Sequence, residues 1–576
     1  MDLSHPYLTD QLIAYIGNKR ALLPFLHEVL SRIPVDPSRA AFLDPFAGSG
    51  AVSRLARMMG FRVDANDWEQ YSWVINACHL GVGKSESREL FAAQGGLGSV
   101  LDRLNALPPP PTHKAYISAN YAPRVTDQAD WRTERLFYTH ENALVIDAVR
   151  ERIEDMYPGV PADGRALKEK TLLLAPLLYE AATHTNTSGV FKACHRGFGG
   201  HGGDALSRIM AGVRLEPPLL IDAAQASTVS RMDAAAFLRS RPAEICYLDP
   251  PYAVHQYGSN YFMLNSIALW DKPTVSAERD ADGRFRRKAG IRDDWTGTRS
   301  LFCYKSTAAA AMQAVIDAAD CRWLVVSYSN EGLIPLEELC DMLARQGELT
   351  VRTRGYVKYP GGRQSLSRTM HNLELALVVE RRTASGRMGP AARGNVAAAL
   401  REVRLAELLT CSFDPGSLTR RFRHDDGAIL VETHDGEARL PMRHFWRFTP
   451  GAGGFRLDQA AYPDELIDRL SACVVRDARA EIAILLAIVP AVGDARERGR
   501  LLVEALRKLN TIAHRKYEVE FAEALASLRA FAAADPVFEG LREGLERAVR
   551  KAERRAAGSA EKKKGRGITP RPETLE

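Results

Sequence analysis

The chain lacks any uninterrupted apolar run of the roughly 18 residues that a bilayer-spanning helix needs, so no transmembrane helix is expected. Its eight cysteines are scattered through 576 residues with no CxxC pair. That excludes a disulfide framework or a zinc-finger spacing and fits reduced thiols in a cytoplasm. The first ten residues hold no basic stretch followed by an apolar one, so no secretory signal is expected there. A surplus of charge is missing too. The net charge is +6, but the stretch from Arg550 to Glu576 carries nine Lys/Arg against four Asp/Glu, which leaves the rest of the chain near neutrality. Any surface that faces nucleic acid must therefore be a local patch. The Gly/Ser/Pro-flanked basic run Lys562–Gly567 reads as part of a solvated, disordered tail over 558–576. What remains is ordinary globular composition, 46% hydrophobic and 26% charged, long enough for two to four domains.

Periodicity divides the chain. Residues 1–82 alternate a helix-like segment (Lys19 to Ile33), a buried strand (Ala41 to Leu43), a glycine turn, a helix (Val52 to Met59) and a second strand (Arg62 to Asn66). Residues 83–217 break that rhythm with the run Pro108–Pro111, a helix-like Glu141–Met156 and a Gly/aromatic loop from Asn186 to Gly203. The βα pattern returns over 218–383, with strands at Glu244–Leu248, Arg322–Ser327 and Leu373–Val379. After a Gly/Ala/Arg linker (Ala384 to Gly394), residues 395–557 hold a short β-like stretch (Gly427 to Trp446) and then Ala/Leu/Arg/Glu helices, including an amphipathic stretch from Arg498 to Ala534. The expected fold is α/β: a doubly wound, Rossmann-like sheet interrupted by an insertion and followed by a mainly helical extension.

Two motifs carry chemistry. Phe42-Leu43-Asp44-Pro45-Phe46-Ala47-Gly48-Ser49-Gly50 follows a strand and opens a helix. Gly48 and Gly50 permit a tight turn and close approach of a ligand, and the helix N-terminus offers unpaired N–H groups. The next strand ends at Asn66-Asp67, where an acid commonly bonds ribose hydroxyls. The dinucleotide pattern G-x-G-x-x-G is absent, which favours S-adenosylmethionine over a nicotinamide cofactor.

The second motif is Asp249-Pro250-Pro251-Tyr252, into which the apolar strand Ile245–Leu248 runs directly. Two prolines cannot continue a central strand, so the chain leaves the sheet at its carboxyl edge, where open α/β sheets bind ligands. The amino nitrogen of a base has its lone pair delocalised into the ring and is a poor nucleophile. Two acceptors on its hydrogens, the Asp249 carboxylate and the Pro250 carbonyl, would draw it toward sp³ character. Tyr252 would stack on an extruded base. Cys246 lies inside the strand and reads as packing, not as a nucleophile.

With these motifs in view, the chain resembles the Dam-type, class-α adenine-specific DNA methyltransferases over about Gln11 to Glu380. Asp44–Gly50 is similar to the family's adenosylmethionine loop and Asp249–Tyr252 to its catalytic motif. Tyr15-Ile16-Gly17-Asn18-Lys19 resembles the N-terminal motif, although the family usually has Gly-Gly-Lys after the aromatic. The resemblance implies a catalytic set Asp249, Pro250 and Tyr252. It implies cofactor contacts at Tyr15, Lys19, Asp44, Phe46, Gly48, Gly50, Asp67, Asp233 and Asp249. Asn186–Lys192 and Ser327–Gly332 are similar to further family segments. The implied activity is N6 methylation of adenine in double-stranded DNA by base flipping, in restriction-modification or phage defence, with any restriction endonuclease or defence subunit on a separate chain. RNA adenine or DNA cytosine-N4 methylation, or a non-catalytic cofactor-binding subunit, are the alternatives. Intact Asp249, Tyr252 and Lys19 argue against the last.

About 200 residues separate Gly50 from Asp249, where a bare doubly wound sheet needs about 60 to 80. The excess, 83–217, is the expected target-recognition domain. Candidate DNA contacts are Lys114, Arg124, Arg132, Arg135, Lys192 and Arg196, with His195 and Arg208 nearby and Arg286 in a second basic cluster (Arg284–Lys288). Arginine reads guanine bidentately and lysine neutralises phosphate. No metal site is expected: His195 and His201 have no acidic or cysteine partner at ligand spacing.

Overall fold

The computed structural model describes residues 1–200, 205–329, 331–357, 371–381 and parts of 401–553. The chain divides into two compact units, one of Met1–Arg354 with Glu374–Ala399 and one of Gly355–Leu373 with Leu400–Glu576. His201, Asn330, the linker 384–394, Trp446 and the tail 558–576 lie outside the described residues.

The centre is a seven-stranded sheet of β1 (Ala41–Asp44), β2 (Arg62–Asn66), β3 (Thr228–Ser230), β4 (Ala243–Leu248), β5 (Cys321–Ser329), β6 (Gly347–Val357) and β7 (His371–Arg381), in the order β3-β2-β1-β4-β5-β7-β6. β1 pairs in parallel with both β2 and β4, β2 with β3, and β4 with β5, while β7 runs antiparallel to β5. The expected α/β sheet is there, and it is mostly parallel. Its inner strands are buried on both faces, which is why they read as apolar runs without alternation. Phe42, Val63, Ile245, Tyr247, Val325, Ala376 and Val378 join one apolar cluster with the helices Leu23–Ser31 and Ala51–Met59. Leu43, Cys246 and Leu248, pointing the other way, are equally buried.

The second face carries the helix Gln70–Gly81, and behind it a further helical layer. Gly164–Thr183, His140–Met156 and Phe262–Leu269 pack there into one apolar cluster. That cluster draws Leu90, Tyr121, Phe137 and Leu174 from 83–217 and Phe262, Met263 and Ile267 from beyond the catalytic motif. Residues 83–217 and the segment after the catalytic motif therefore share one interior. The helix Gly164–Thr183 contains Pro176 and is buried on most sides, so it shows no amphipathic signature in sequence. The second unit holds a four-stranded antiparallel sheet, including Ala428–Thr433 and Gly436–Arg443, and a separate apolar cluster of helices. The single amphipathic stretch expected from Arg498 to Ala534 is two helices, Ala495–Ile512 and Glu518–Ala534.

Arg150 joins the helical layer. It has no solvent exposure, and its Nε donates to the Ile267 carbonyl (2.8 Å) while one guanidinium nitrogen pairs with Glu154 (2.7 Å). It thereby satisfies a carbonyl at the carboxyl end of Phe262–Leu269, where the helix has no further N–H to offer. Arg150→Met should lower the unfolding free energy by about 2–4 kcal/mol, because it leaves buried acceptors without a donor. Urea denaturation of the two proteins reads this out, and an unchanged midpoint would refute the role.

Candidate active site

The strand order reverses between β1 and β4. Phe42 lies opposite Ile245 and Leu43 opposite Cys246, so the chain segments after Asp44 and after Leu248 leave the same edge side by side. Between them opens a cleft, part of it facing solvent, lined by Tyr15–Lys19, Asp44–Ser49, Asn66–Glu69, Tyr247 and Asp249–Tyr252.

The glycine turn is built for close approach. Gly48 and Gly50 both have positive φ (51° and 81°). A Cβ at Gly48 would lie 2.8 Å from the Tyr15 ring, and one at Gly50 would lie 2.5 Å from Asn76 Oδ1. Asp67 Oδ2 accepts from the Gly48 N–H (2.8 Å) and Oδ1 from the Glu69 N–H (2.9 Å). Burial raises the Asp67 carboxyl, and those N–H donors work against the rise. Asp44 is buried and accepts from Ser53 Oγ (2.6 Å). Its carboxyl is pushed up to about 7, chiefly by burial and further by the Asp249 charge. Asn66 ties three strand ends together: its amide donates to the Pro45 and Met232 carbonyls, and its Oδ1 accepts from the Met232 N–H.

The N-terminal motif is held by tyrosines that follow the catalytic motif. Tyr261 Oη accepts from the Ile16 N–H (2.7 Å), and Tyr257 Oη donates to the Ile16 carbonyl (3.0 Å). Both rings pack on Tyr15, with centroids 4.9 Å and 5.1 Å away. This places Lys19, only 3% exposed, against the catalytic motif. Its Nζ is 3.0 Å from Asp249 Oδ1, 3.0 Å from Glu374 Oε1 on β7, and 3.4 Å from Tyr252 Oη. Burial alone would depress the Lys19 ammonium, but the two carboxylates outweigh it and hold it well above the ordinary lysine value. Asp249 is pushed up to about 6, by burial first and then by Glu374, with Lys19 opposing. Tyr252 is half-buried, with its ring edge-on to Tyr328 (5.6 Å between centroids).

Of the residues expected from sequence, Tyr15, Lys19, Asp44, Phe46, Gly48, Asp67, Asp249, Pro250 and Tyr252 line this one cleft. Gly50 shapes the turn beneath it. Asp233 does not line it: its carboxylate is exposed and caps the helix Ala234–Arg239 (3.0 Å to the Ala236 N–H), while Met232 and Ala234 face the space. Sequence reasoning missed Glu374, Asn66, Trp68, Glu69, Thr298 and Ser300. A carboxylate inside the apolar strand Leu373–Val379 was the available signal for Glu374.

The candidate DNA contacts scatter. Arg135 is corrected outright. It is 4% exposed, donates to the carbonyls of Asn120, Ser276, Arg287 and Lys288, and lies over the Phe285 ring, so it braces a loop and presents nothing to solvent. Lys114 pairs with Glu151 and Asp155. Arg132 and Arg196 are exposed and both approach the Trp131 ring (5.2 Å and 4.5 Å). Arg124 and Lys192 are exposed, Arg208 is half-buried, and exposed Arg286 donates from Nε to the Arg279 carbonyl. Among the described residues no group of three or more His, Cys, Asp or Glu is placed to hold a metal ion, and no helix is long and apolar enough to cross a membrane.

Comparison with known proteins decides the family. The model for the D12 class N6 adenine-specific DNA methyltransferases matches residues 15–282. The chain is 32% identical over 348 residues to the Type II methyltransferase M.NlaIII of Neisseria lactamica, covering 60% of this chain and 92% of that protein. The chain belongs to the D12 class N6 adenine-specific DNA methyltransferase family. It is also 28% identical to the Type II methyltransferase M.CviAII of Paramecium bursaria Chlorella virus 1, covering 92% of it. The modification methylase LlaI of Lactococcus lactis subsp. lactis, at 28%, is matched over 52% of its length. No solved structure matches the chain. Membership makes this a DNA methyltransferase, and the cleft is its candidate active site.

Lys19 is the cation that two buried carboxylates share. Lys19→Met should destabilise the chain by about 3–5 kcal/mol at pH 8, where Asp249 is left as a buried charge without its cation. The loss should shrink toward pH 5. There Asp249, already pushed up to about 6 and raised further by losing Lys19, takes up a proton and no longer carries buried charge. Denaturation midpoints at the two pH values test this, and a pH-independent loss would contradict it.

Proposed function

We propose that the chain transfers a methyl group from S-adenosylmethionine to the N6 amino group of adenine in DNA after the base is flipped from the duplex, as the modification activity of a restriction-modification system. The observation that carries this reading is that the glycine turn after β1 and the Asp-Pro-Pro-Tyr motif after β4 wall the same cleft. The residues present suit the cofactor. Gly48 and Gly50 take positive-φ turn conformations where a Cβ would collide with Tyr15 or Asn76, Asp67 stands at the ribose position, and acids crowd the cleft around one lysine. When bound, S-adenosylmethionine supplies a methyl group already activated as a sulfonium.

The chain's own residues then orient and polarise the base. Tyr252 offers a partly exposed ring on which an extruded adenine stacks. Asp249 accepts one amino hydrogen and the Pro250 carbonyl the other, which sharpens the nitrogen lone pair toward the methyl carbon. Asp249 must be ionised to do so, and Lys19 on Oδ1 leaves the second oxygen for the base. Tyr15, backed by Tyr257 and Tyr261, walls the cleft beside Gly48 and helps exclude water. Residues 83–217 supply the recognition surface, with Arg132, Arg196, Arg124 and Lys192 the exposed cations that contact DNA. The names of the relatives, Type II methyltransferases and a modification methylase, support the restriction-modification setting.

The test is transfer of labelled methyl from S-adenosylmethionine to unmethylated DNA and to total RNA, with product digestion to identify the base. Label in N6-methyladenine from DNA is expected, falling at least a hundredfold in Asp249→Ala. Label in RNA alone, in N4-methylcytosine, or in nothing despite cofactor binding would each overturn the proposal. With Asp249 pushed up to about 6, the single-turnover rate should fall as pH drops through that value and level off above it.

A further inference from the structure

Lys19 has three ammonium hydrogens, and three oxygens surround them: Asp249 Oδ1, Glu374 Oε1 and Tyr252 Oη. Two of those oxygens belong to the catalytic motif. The third comes from β7, through a glutamate with no solvent exposure that holds its place by accepting from Ser327 Oγ (2.5 Å) on β5. Its other oxygen, Oε2, is buried without a hydrogen-bond partner. A carboxylate in a central strand is costly to bury, and this one neither lines the cleft itself nor reaches solvent.

The charge count gives that cost a purpose. Without Glu374, Lys19 and Asp249 would close into a neutral ion pair, and a neutralised carboxylate is a weaker acceptor for an amino hydrogen. With Glu374 the ammonium is divided between two carboxylates and the trio carries a net negative charge. We propose that Glu374 is a positioning residue for methyl transfer: it holds Lys19 from behind, so that Lys19 fixes Asp249 Oδ1 and Tyr252 in place without cancelling the charge of Asp249. This rests on the reading of the cleft given above. The other titratable groups that face Asp249 are Asp44 at the end of β1, Tyr247 on β4 and Tyr257 beyond the motif. None of them touches Lys19 as Glu374 does.

Two variants move the system in opposite directions. Glu374→Gln removes a like charge and gives Lys19 wholly to Asp249, so Asp249 ionises at lower pH. Ser327→Ala removes the competing donor from Glu374 Oε1, strengthens the Lys19–Glu374 pair and loosens Lys19 from Asp249, so Asp249 ionises at higher pH. The acid limb of the single-turnover rate, measured on the full chain with S-adenosylmethionine and unmethylated DNA, should move down by about one pH unit in Glu374→Gln. Its plateau rate should fall at least tenfold while cofactor affinity is retained. In Ser327→Ala the limb should move up. An infrared titration of carboxyl groups in the cofactor-free chain, with Asp249→Asn to assign the band, should show the same two displacements without turnover. Displacements in opposite directions support the role, and if Glu374→Gln does not fold, the upward displacement in Ser327→Ala does so alone. Limbs and bands that stay at the wild-type position, or move together, overturn it. Absence of methyl transfer in the wild-type chain would instead remove the reading of the cleft, leaving the infrared titration to judge Glu374.

Discussion

The site depends on one topological constraint, the reversal of strand order between β1 and β4. To either side of that line the crossovers run to opposite edges, so no connection covers the gap between the two strand ends. The register across it sets Leu43 beside Cys246, and the acids that follow, Asp44 and Asp249, emerge as neighbours. Proline completes the separation. Pro45 on one side and Pro250-Pro251 on the other have no N–H with which to continue the ladder, so the chains part where pairing stops. Asn66 then fastens the ends of β1, β2 and β3 with its one amide, which fixes the floor of the cleft without filling it.

Around that opening the electrostatics are lopsided. Asp44, Asp67, Glu69 and Asp249 line the cleft, Glu374 stands behind it, and Lys19 is the lysine among the lining residues. Burial pushes Asp44 and Glu69 up to about 7 and Asp249 to about 6. A cavity with this balance favours a ligand that brings positive charge, and on the proposed reading a sulfonium meets that need. The same acids that resist ionisation in the free chain would be held ionised by it, so ligand binding and proton release are linked at this edge.

Much of this was legible in the sequence, and the reasons are specific. Arg62–Asn66 is a strand at the expected residues, and the two loops stood out because their residue types are forced: glycine where φ is positive, proline where a strand must end. Residues that act through tertiary contact were silent. Tyr257 and Tyr261 look like core aromatics until they are seen gripping Ile16. Glu374 is separated from Lys19 by more than 350 residues, and only the antiparallel placement of β7 beside β5 brings it under the motif. Arg135 erred in the other direction. An arginine in a polar segment reads as a surface charge, and nothing local reveals that carbonyls from the helix Ile117–Tyr121 and from the loop after the catalytic motif converge on it.

Arg135 also bears on how a recognition surface could work here. It fastens 83–217 to the loop after the catalytic motif, alongside Tyr121 Oη donating to the Gly290 carbonyl (2.8 Å) and Tyr116 Oη donating to the Pro273 carbonyl (2.9 Å). The two segments also share one apolar cluster, so residues 83–217 are not hung from the sheet by a hinge. Outside its basic tail the chain is close to neutral, so attraction for DNA must come from few cations placed well. Arg132 and Arg196 are exposed cations whose guanidinium groups both pack on Trp131, which orders their flat faces, and Arg132 also pairs with Asp130 (3.5 Å). On the proposed reading, a contact made there is transmitted to Asp249 through packed helices.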